Sequence, residues 1–493
     1  MTRREFVVLP TLAASPPAAR PNILWICTDQ QRWDTIAALG NRVIRTPNID
    51  RLVREGVAFT NAYCQSPVCT PSRASFLTGC RPSTIHQHRN GNAYFPAELA
   101  PRLVSSQLAK AGYDCGLIGK LHLASPWERV EPRSEDGYRL FEWSHHPKPE
   151  PSWPVAAHAY QRWLQQRGVR WPELYQVTKI EGYPDVVQAG MPAEHHEITW
   201  STERARDFIG SGLRAPWMLS LNMFAPHPPF DPAPEYLRRM DQRAMPRPVF
   251  HEGQEKEQQA FARIDHQTQQ PQHPDSYDSR RMKAAYYAMI EHIDWAVGKL
   301  LEKLQETGQR ERTMVILTSD HGEMLGDHGL LYKGCRFFEG AVHVPLIISW
   351  PGGGVRQGAM HDALVELTDI APTLLAAAGI SAPAEMDGRS LLPALRGEAG
   401  ASELHDCVIC EYHDALALPD RTRATMLRDK RHKLVIYHCR GLGELFDLAD
   451  DPTEIHNLWA DPAARGVRHR LTERMMDALA QSSDLGTPRI GKY

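Results

Sequence analysis

Four stretches of the chain are almost continuously apolar instead of alternating. They are Asn22-Ile23-Leu24-Trp25-Ile26-Cys27, Tyr113-Asp114-Cys115-Gly116-Leu117-Ile118, Trp217-Met218-Leu219-Ser220-Leu221-Asn222 and Thr313-Met314-Val315-Ile316-Leu317-Thr318. Short runs of this kind predict strands buried on both faces, as in a parallel sheet covered by helices. Each run delivers polar residues just past its carboxyl end: Thr28-Asp29-Gln30-Gln31, Gly119-Lys120-Leu121-His122, Ala225-Pro226-His227-Pro228-Pro229-Phe230 and Ser319-Asp320-His321-Gly322. That edge of an α/β sheet is where ligands bind, so the four segments are expected to meet at one site.

Helical spacing fills the intervals. From Tyr286 to Gln305, Met289, Ile290, Ile293, Val297, Leu300, Leu301 and Leu304 form one stripe, with Gly308 as a stop. A second helix is expected over 44–60 after Thr46-Pro47-Asn48, with Ile49, Leu52 and Val53 inward. The alternation predicts an α/β fold, a large mixed, mostly parallel sheet sandwiched by helices. Residues 140–280 break the pattern, being rich in Trp, Pro, His and Gln, and read as irregular insertions walling a substrate site. Beyond Asp387-Gly388-Arg389, short strands at 407–412, 423–428, 432–438 and 444–448 and a helix from about 465 predict a small C-terminal antiparallel sheet plus helix without chemistry of its own. The domains expected are a leader or tail over 1–20, a catalytic α/β unit over 21–395 and an α+β subdomain over 396–493.

Composition removes other classes. The 493 residues suffice for a large domain and a smaller one, and 42% hydrophobic and 23% charged residues suit a globular enzyme. A net charge of −3 gives no basis for nucleic-acid or polybasic membrane binding. No apolar run approaches the ~20 residues of a membrane span. Nine cysteines, an odd number, make no disulfide framework. Cys407 and Cys410 lie three apart on a predicted strand and so face opposite sides. Thr2-Arg3-Arg4-Glu5-Phe6 before Val7-Val8-Leu9 resembles a twin-arginine export signal. With it the protein would be periplasmic or secreted, without it cytoplasmic.

The candidate nucleophile is in Cys69-Thr70-Pro71-Ser72-Arg73-Ala74-Ser75-Phe76-Leu77-Thr78-Gly79. Pro71 suits a first helical turn and Gly79 a helix end. Arg73 lies one turn beyond Cys69, and the helix mouth favours an anion. Asp29 and Asp320, with Gln30 and His321 beside them, suggest a divalent cation held mainly by oxygen.

Cys-x-Pro-x-Arg followed by Thr-Gly resembles the signature of the sulfatase family, and the resemblance spans about residues 21 to 460. It implies an alkaline phosphatase-like fold and conversion of Cys69 to formylglycine by a formylglycine-generating maturation enzyme. It also implies one divalent cation, Ca²⁺ first and Mn²⁺ or Mg²⁺ as alternatives, held by Asp29, Gln30, Cys69, Asp320 and His321. Gly119-Lys120-Leu121-His122 resembles the family's Gly-Lys-x-His. His227 and Lys333 match its sulfate-contacting His and leaving-group Lys, and Arg73 is expected to support nucleophile and metal. His86, His88, His145 and His146 are expected to be structural or loop residues, the latter pair with the option of lining the pocket. Gln30 departs from the commoner second Asp and resembles the phosphonate monoester hydrolase and choline-sulfatase branches. Lys120 and His122, generally lacking in the phosphonate branch, favour sulfate esters. The expected activity is hydrolysis of a small-molecule or oligosaccharide sulfate ester, with phosphonate monoester or phosphodiester hydrolysis as the alternative. A non-catalytic sulfated-glycan-binding protein is the third reading.

Overall fold

The structure, a computed structural model, describes residues 20–127, 129–146, 157–170, 179–213, 216–262, 264, 271–416 and 421–482. The leader-like segment 1–19, parts of 140–280 and the tail 483–493 lie outside the described residues.

The four apolar runs are strands of one sheet. They are β1 (Asn22–Thr28), β3 (Asp114–Gly119), β5 (Trp217–Asn222) and β6 (Thr313–Ser319). With β2 (Val57–Tyr63), β4 (Leu140–Trp143), β7 (Leu346–Ser349) and β8 (Ala359–Glu366) they form an eight-stranded sheet ordered β4-β3-β5-β1-β6-β7-β2-β8. Its pairings are parallel except that β7 runs against β6 and β2.

Continuous hydrophobicity has the predicted cause. Along β1, Ile23, Trp25 and Cys27 enter one apolar cluster while Leu24 and Ile26 enter another on the opposite face. Helix Cys69–Thr78, with helices Val104–Lys110 and Ile370–Ala377, supplies the first cluster. Helices Pro47–Arg54, Glu197–Gly210 and Ser279–Glu306 supply the second.

Two expectations are corrected. The helix foreseen over 44–60 ends at Arg54, and Val57–Tyr63 is instead a strand of the sheet. Gly56 marks the break: a Cβ there would lie 2.3 Å from the Ile348 carbonyl oxygen. Nor is 140–280 merely irregular. Besides the strand already predicted there, β5, it holds β4 and the helices Ala159–Gln166 and Glu197–Gly210, the latter covering the sheet with Ile198, Trp200, Ala205, Phe208 and Ile209.

Strands β9 (Val408–His413), β10 (Arg423–Arg428), β11 (His432–Tyr437) and β12 (Leu442–Asp447) form the antiparallel C-terminal sheet. Ile409, Leu427, Leu434 and Leu445 pack on the closing helix Arg465–Gln481 through Leu471 and Met475. Cys410, Tyr412, Met426 and Val435 face the other way into the large core. Cys407 packs on the helix side, so the two cysteines are divided between the faces.

Candidate active site

The carboxyl edge of the large sheet gathers the predicted residues. Asp29 follows β1, Lys120 follows β3, Asp320 follows β6, and His227 lies on the loop after β5. Cys69 is the first residue of its helix, Pro71 lies in the first turn, and Gly79 ends the helix at φ 70°. Asn90, a residue the sequence did not mark, accepts the Thr70 N–H at 3.1 Å through its side chain.

Cys69 is the hub. Its Sγ lies 3.2 Å from His321 Nε2, 3.8 Å from Asp29 Oδ1, 2.9 Å from Lys333 Nζ and 3.8 Å from Lys120 Nζ. Burial and Asp29 push the thiol pKa up, but Lys120, Lys333 and His321 together bring it below its ordinary value. Arg73, fully buried, donates to Asp320 at 2.8 Å, to Asp29 at 3.3 Å and to the Lys120 carbonyl at 3.0 Å. Lys120 pairs with Asp29 at 2.6 Å. Burial opposes ionisation of Asp29, yet Lys120, His227, Lys333 and Arg73 hold it well below the usual carboxylate range.

Asp29, Cys69, Asp320 and His321 each offer a donor atom, and the four atoms lie within 4.8 Å of one another. These donors fit a divalent cation. His321 Nδ1–H donates to the Gly322 carbonyl at 2.9 Å, so in the neutral ring Nε2 presents its lone pair to the cluster. Burial lowers this imidazole's pKa, but Asp320 and Cys69 outweigh it and push it up to about 9, the mark of a nitrogen facing negative charge. Gln30 has its amide nitrogen bound to Glu323, which leaves Oε1 toward Lys333 Nζ at 3.0 Å. Glu323 also accepts from the backbone of Leu325 at 2.9 Å and Tyr332 at 2.5 Å. Sequence reasoning passed over Glu323, although it stands three residues after Asp320.

His227 Nδ1–H donates to the Pro228 carbonyl at 2.6 Å, so Nε2 accepts from Lys333 Nζ at 2.6 Å. Burial and the Lys333 charge push the His227 pKa well down. The resting proton is therefore on Lys333. His122 is buried at φ 58°, its Nδ1 without a hydrogen-bond partner among the described residues, and its ring meets His145 edge-on at 4.4 Å. His146 packs on Phe224 at 4.4 Å, and His88 lies 4.7 Å from His413. His86 adopts φ 54°.

A cleft of about 430 Å³ opens over Gln30, His227 and Lys333. Its walls are Asp185, Val186 and Gln188 from the 140–280 region, Pro228, Pro229 and Tyr332, and Leu416 from the C-terminal subdomain. The small subdomain thus contributes to the rim, a role its strand pattern did not announce.

Known proteins resemble this chain over most of its length. The sulfatase family model matches residues 21–380, and that of the N-sulphoglucosamine sulphohydrolase C-terminal region matches 326–481. An arylsulfatase of Clostridium perfringens is 30% identical over 457 residues, covering 89% of this chain and 90% of its own. A multifunctional alkaline phosphatase superfamily protein of Trinickia caryophylli is 31% identical over 492 residues, covering 90% of this chain and 92% of its own. The phosphonate monoester hydrolase of Silicibacter pomeroyi superposes with a TM-score of 0.80 at 26% identity, covering 94% of this chain and 96% of that one. The fold is that of the alkaline phosphatase-like sulfatases. A family model spanning the whole large sheet, and relatives matched nearly end to end, make this chain an enzyme of the sulfatase family.

Proposed function

We propose that the protein hydrolyses sulfate monoesters with residue 69 as nucleophile, after an external formylglycine-generating enzyme has converted Cys69 to the aldehyde. The observation that carries this reading is the position of Cys69 Sγ among His321, Asp29, Lys333 and Lys120. An inert core cysteine is not surrounded by two lysines and an acid pair.

A divalent cation would be held by Asp29, Gln30, Asp320, His321 and the side chain at 69, and when bound it supplies Lewis-acid stabilisation of negative charge. Ca²⁺ suits the oxygen donors, whereas the neutral amide of Gln30 and the His321 nitrogen also admit Mn²⁺ or Mg²⁺. Arg73 fixes the two carboxylates. Lys120 and Lys333 neutralise charge on the sulfate oxygens, and His227 orients Lys333. One hydroxyl of the hydrated aldehyde loses its proton to water in the cleft and attacks sulfur, the ester S–O bond breaks with its electron pair on the ester oxygen, and Lys333 gives its proton to the departing alcohol and regains one from solvent. The sulfate is now on residue 69. His122 takes the proton of the second hydroxyl, the aldehyde C=O re-forms, and sulfate leaves with the original C–O bond pair.

Residues 21–395 form the catalytic unit in this reading, and 396–493 a subdomain that closes the cleft. Val186, Pro228, Pro229, Tyr332 and Leu416 favour a compact aryl or alkyl leaving group over a long sulfated glycan. The second reading, phosphonate monoester or phosphodiester hydrolysis, is favoured by Gln30 and the likeness to the Silicibacter pomeroyi enzyme. Lys120 and His122 favour sulfate.

The test is mass spectrometry of the peptide carrying residue 69, made with a competent maturation system, together with turnover of nitrophenyl sulfate and of a phenylphosphonate ester with and without chelator. An unmodified thiol and no cation-dependent turnover refute the proposal, and faster phosphonate cleavage transfers it to the second reading.

A further inference from the structure

Resting on the sulfatase reading, the inference concerns a residue no motif marks. Glu131 is buried and its carboxylate accepts four N–H groups. Oε1 takes the backbone of Leu123 at 2.6 Å and Ala124 at 3.0 Å, and Oε2 takes the backbone of His122 at 2.9 Å and Trp143 Nε1 at 3.0 Å. Three consecutive amides converging on one anion form a backbone nest, which requires a left-handed residue among them. Here that residue is His122, at φ 58°, a conformation that residues with a side chain rarely adopt. The surroundings must hold it, and the carboxylate does.

Lys120 is held from elsewhere. Its backbone N–H donates to the Asn222 carbonyl at 3.0 Å, and its carbonyl accepts from Arg73 at 3.0 Å and Asn222 Nδ2 at 2.9 Å. The anchor for Lys120 and the anchor for His122 are therefore separate, although the two residues stand two apart.

We propose that Glu131 is a positioning residue for His122 alone, an internal anion that fixes its left-handed backbone and so holds in place the imidazole to which this reading assigns the release of sulfate. Glu131→Gln is nearly isosteric but fails electrically, since in either amide orientation its NH₂ faces two N–H donors. The first step, which uses Lys120 and Lys333, should proceed within a few-fold of wild type. Release should slow by about 10²-fold, the low end of the range for a positioned acid or base.

The assay uses matured full-length protein with nitrophenyl sulfate. It follows pre-steady-state nitrophenol release and, by mass spectrometry of quenched enzyme, the fraction sulfated at residue 69. The expected result is a burst near one equivalent, slow turnover afterwards, and mostly sulfated enzyme. His122→Gly, which tolerates the left-handed backbone, should behave likewise, and adding Glu131→Gln to it should cost nothing further. Trp143→Phe removes one of the four donors and should shift the same ratio mildly, should Glu131→Gln not fold. A merely structural role would lower burst amplitude and turnover together with no sulfated enzyme accumulating, and that outcome overturns the proposal. Wild-type protein without the aldehyde or without turnover overturns the sulfatase reading itself, and this inference with it.

Discussion

Replacing Lys333 by Met separates two contributions of a single ammonium group. Lys333 Nζ lies 2.9 Å from Cys69 Sγ and 2.6 Å from His227 Nε2, within reach of both the sulfate oxygens and the leaving oxygen. A hydrogen bond to a charged group is worth about 1.5–3 kcal/mol. Its loss should lower kcat/KM for every sulfate ester by about 10- to 150-fold. The proton matters only where the alcohol departs badly without it, and general acid catalysis then contributes a further ~10²–10⁴. A nitrophenolate leaves unprotonated. An alkoxide does not. Lys333→Met should therefore damage alkyl sulfate hydrolysis at least about a hundredfold more than nitrophenyl sulfate hydrolysis. The assay is kcat/KM over a series of leaving groups of rising basicity, with His227→Ala in parallel. Equal losses across the series would refute the proton assignment and leave Lys333 as a binding charge. A steeper dependence in His227→Ala than in Lys333→Met would move the proton to the imidazole, against the burial and the Lys333 charge that hold its pKa down.

Cys69→Ser offers a single hydroxyl with no second one to expel sulfate, so one equivalent of nitrophenol should be released and the protein should gain one SO₃. Repeated turnover by that variant would contradict the two-hydroxyl mechanism. Gln30→Asp sets a carboxylate against Glu323, costing the cation-free protein about 1.5–3 kcal/mol and shifting cation preference from Mn²⁺ toward Ca²⁺. Titration calorimetry with both ions decides, and unchanged selectivity refutes the role given to Gln30. Glu197, buried behind the His227 loop, is pushed up to about 8 by burial, against one backbone hydrogen bond from Phe224 and with help from Asp231. Its folded pKa is raised, so wild type loses stability as pH climbs from the unfolded value of 4.5 through about 8, and Glu197→Gln does not. The gap in urea denaturation should open over that window to an upper bound of roughly 5 kcal/mol, and an equal gap at pH 5 and pH 9 contradicts it.

Burial on both faces made β1, β3, β5 and β6 legible, because a strand between helix layers has no polar side. The residues just past those strands were legible for the same reason, since their positions follow from the sheet. Val57–Tyr63 was misread as helix because a buried strand and a buried helical turn share one apolar composition over so few residues. Helix Glu197–Gly210 was hidden within a stretch whose Trp, Pro, His and Gln content reads as irregular insertion. Glu131 left no trace, being a carboxylate on an irregular loop whose partners are backbone amides of any sequence. Leu416 was equally silent, since only tertiary packing brings it to the cleft.

The charges at the site identify which cation serves the substrate. Asp29 and Asp320 supply two negative groups at 2.6–3.3 Å from their cations: Arg73 is spent on both, and Lys120, shared between Asp29 and residue 69, keeps only part of its charge for the substrate. Lys333 is different. Apart from residue 69, its close neighbours are the Gln30 carbonyl oxygen and the neutral His227 imidazole, neither of which carries a compensating charge. With no carboxylate in hydrogen-bond reach among the described residues, and Asp29 and Asp320 acting only at longer range, this buried ammonium gains when an anion arrives to pair with it. In a protein of net charge −3, that makes the surplus local and aims it at the cleft. Gln30 matters here as much as in holding a cation: an aspartate in its place would pair with Lys333 and remove the surplus. The neutral amide leaves the ammonium for the sulfate and its departing oxygen.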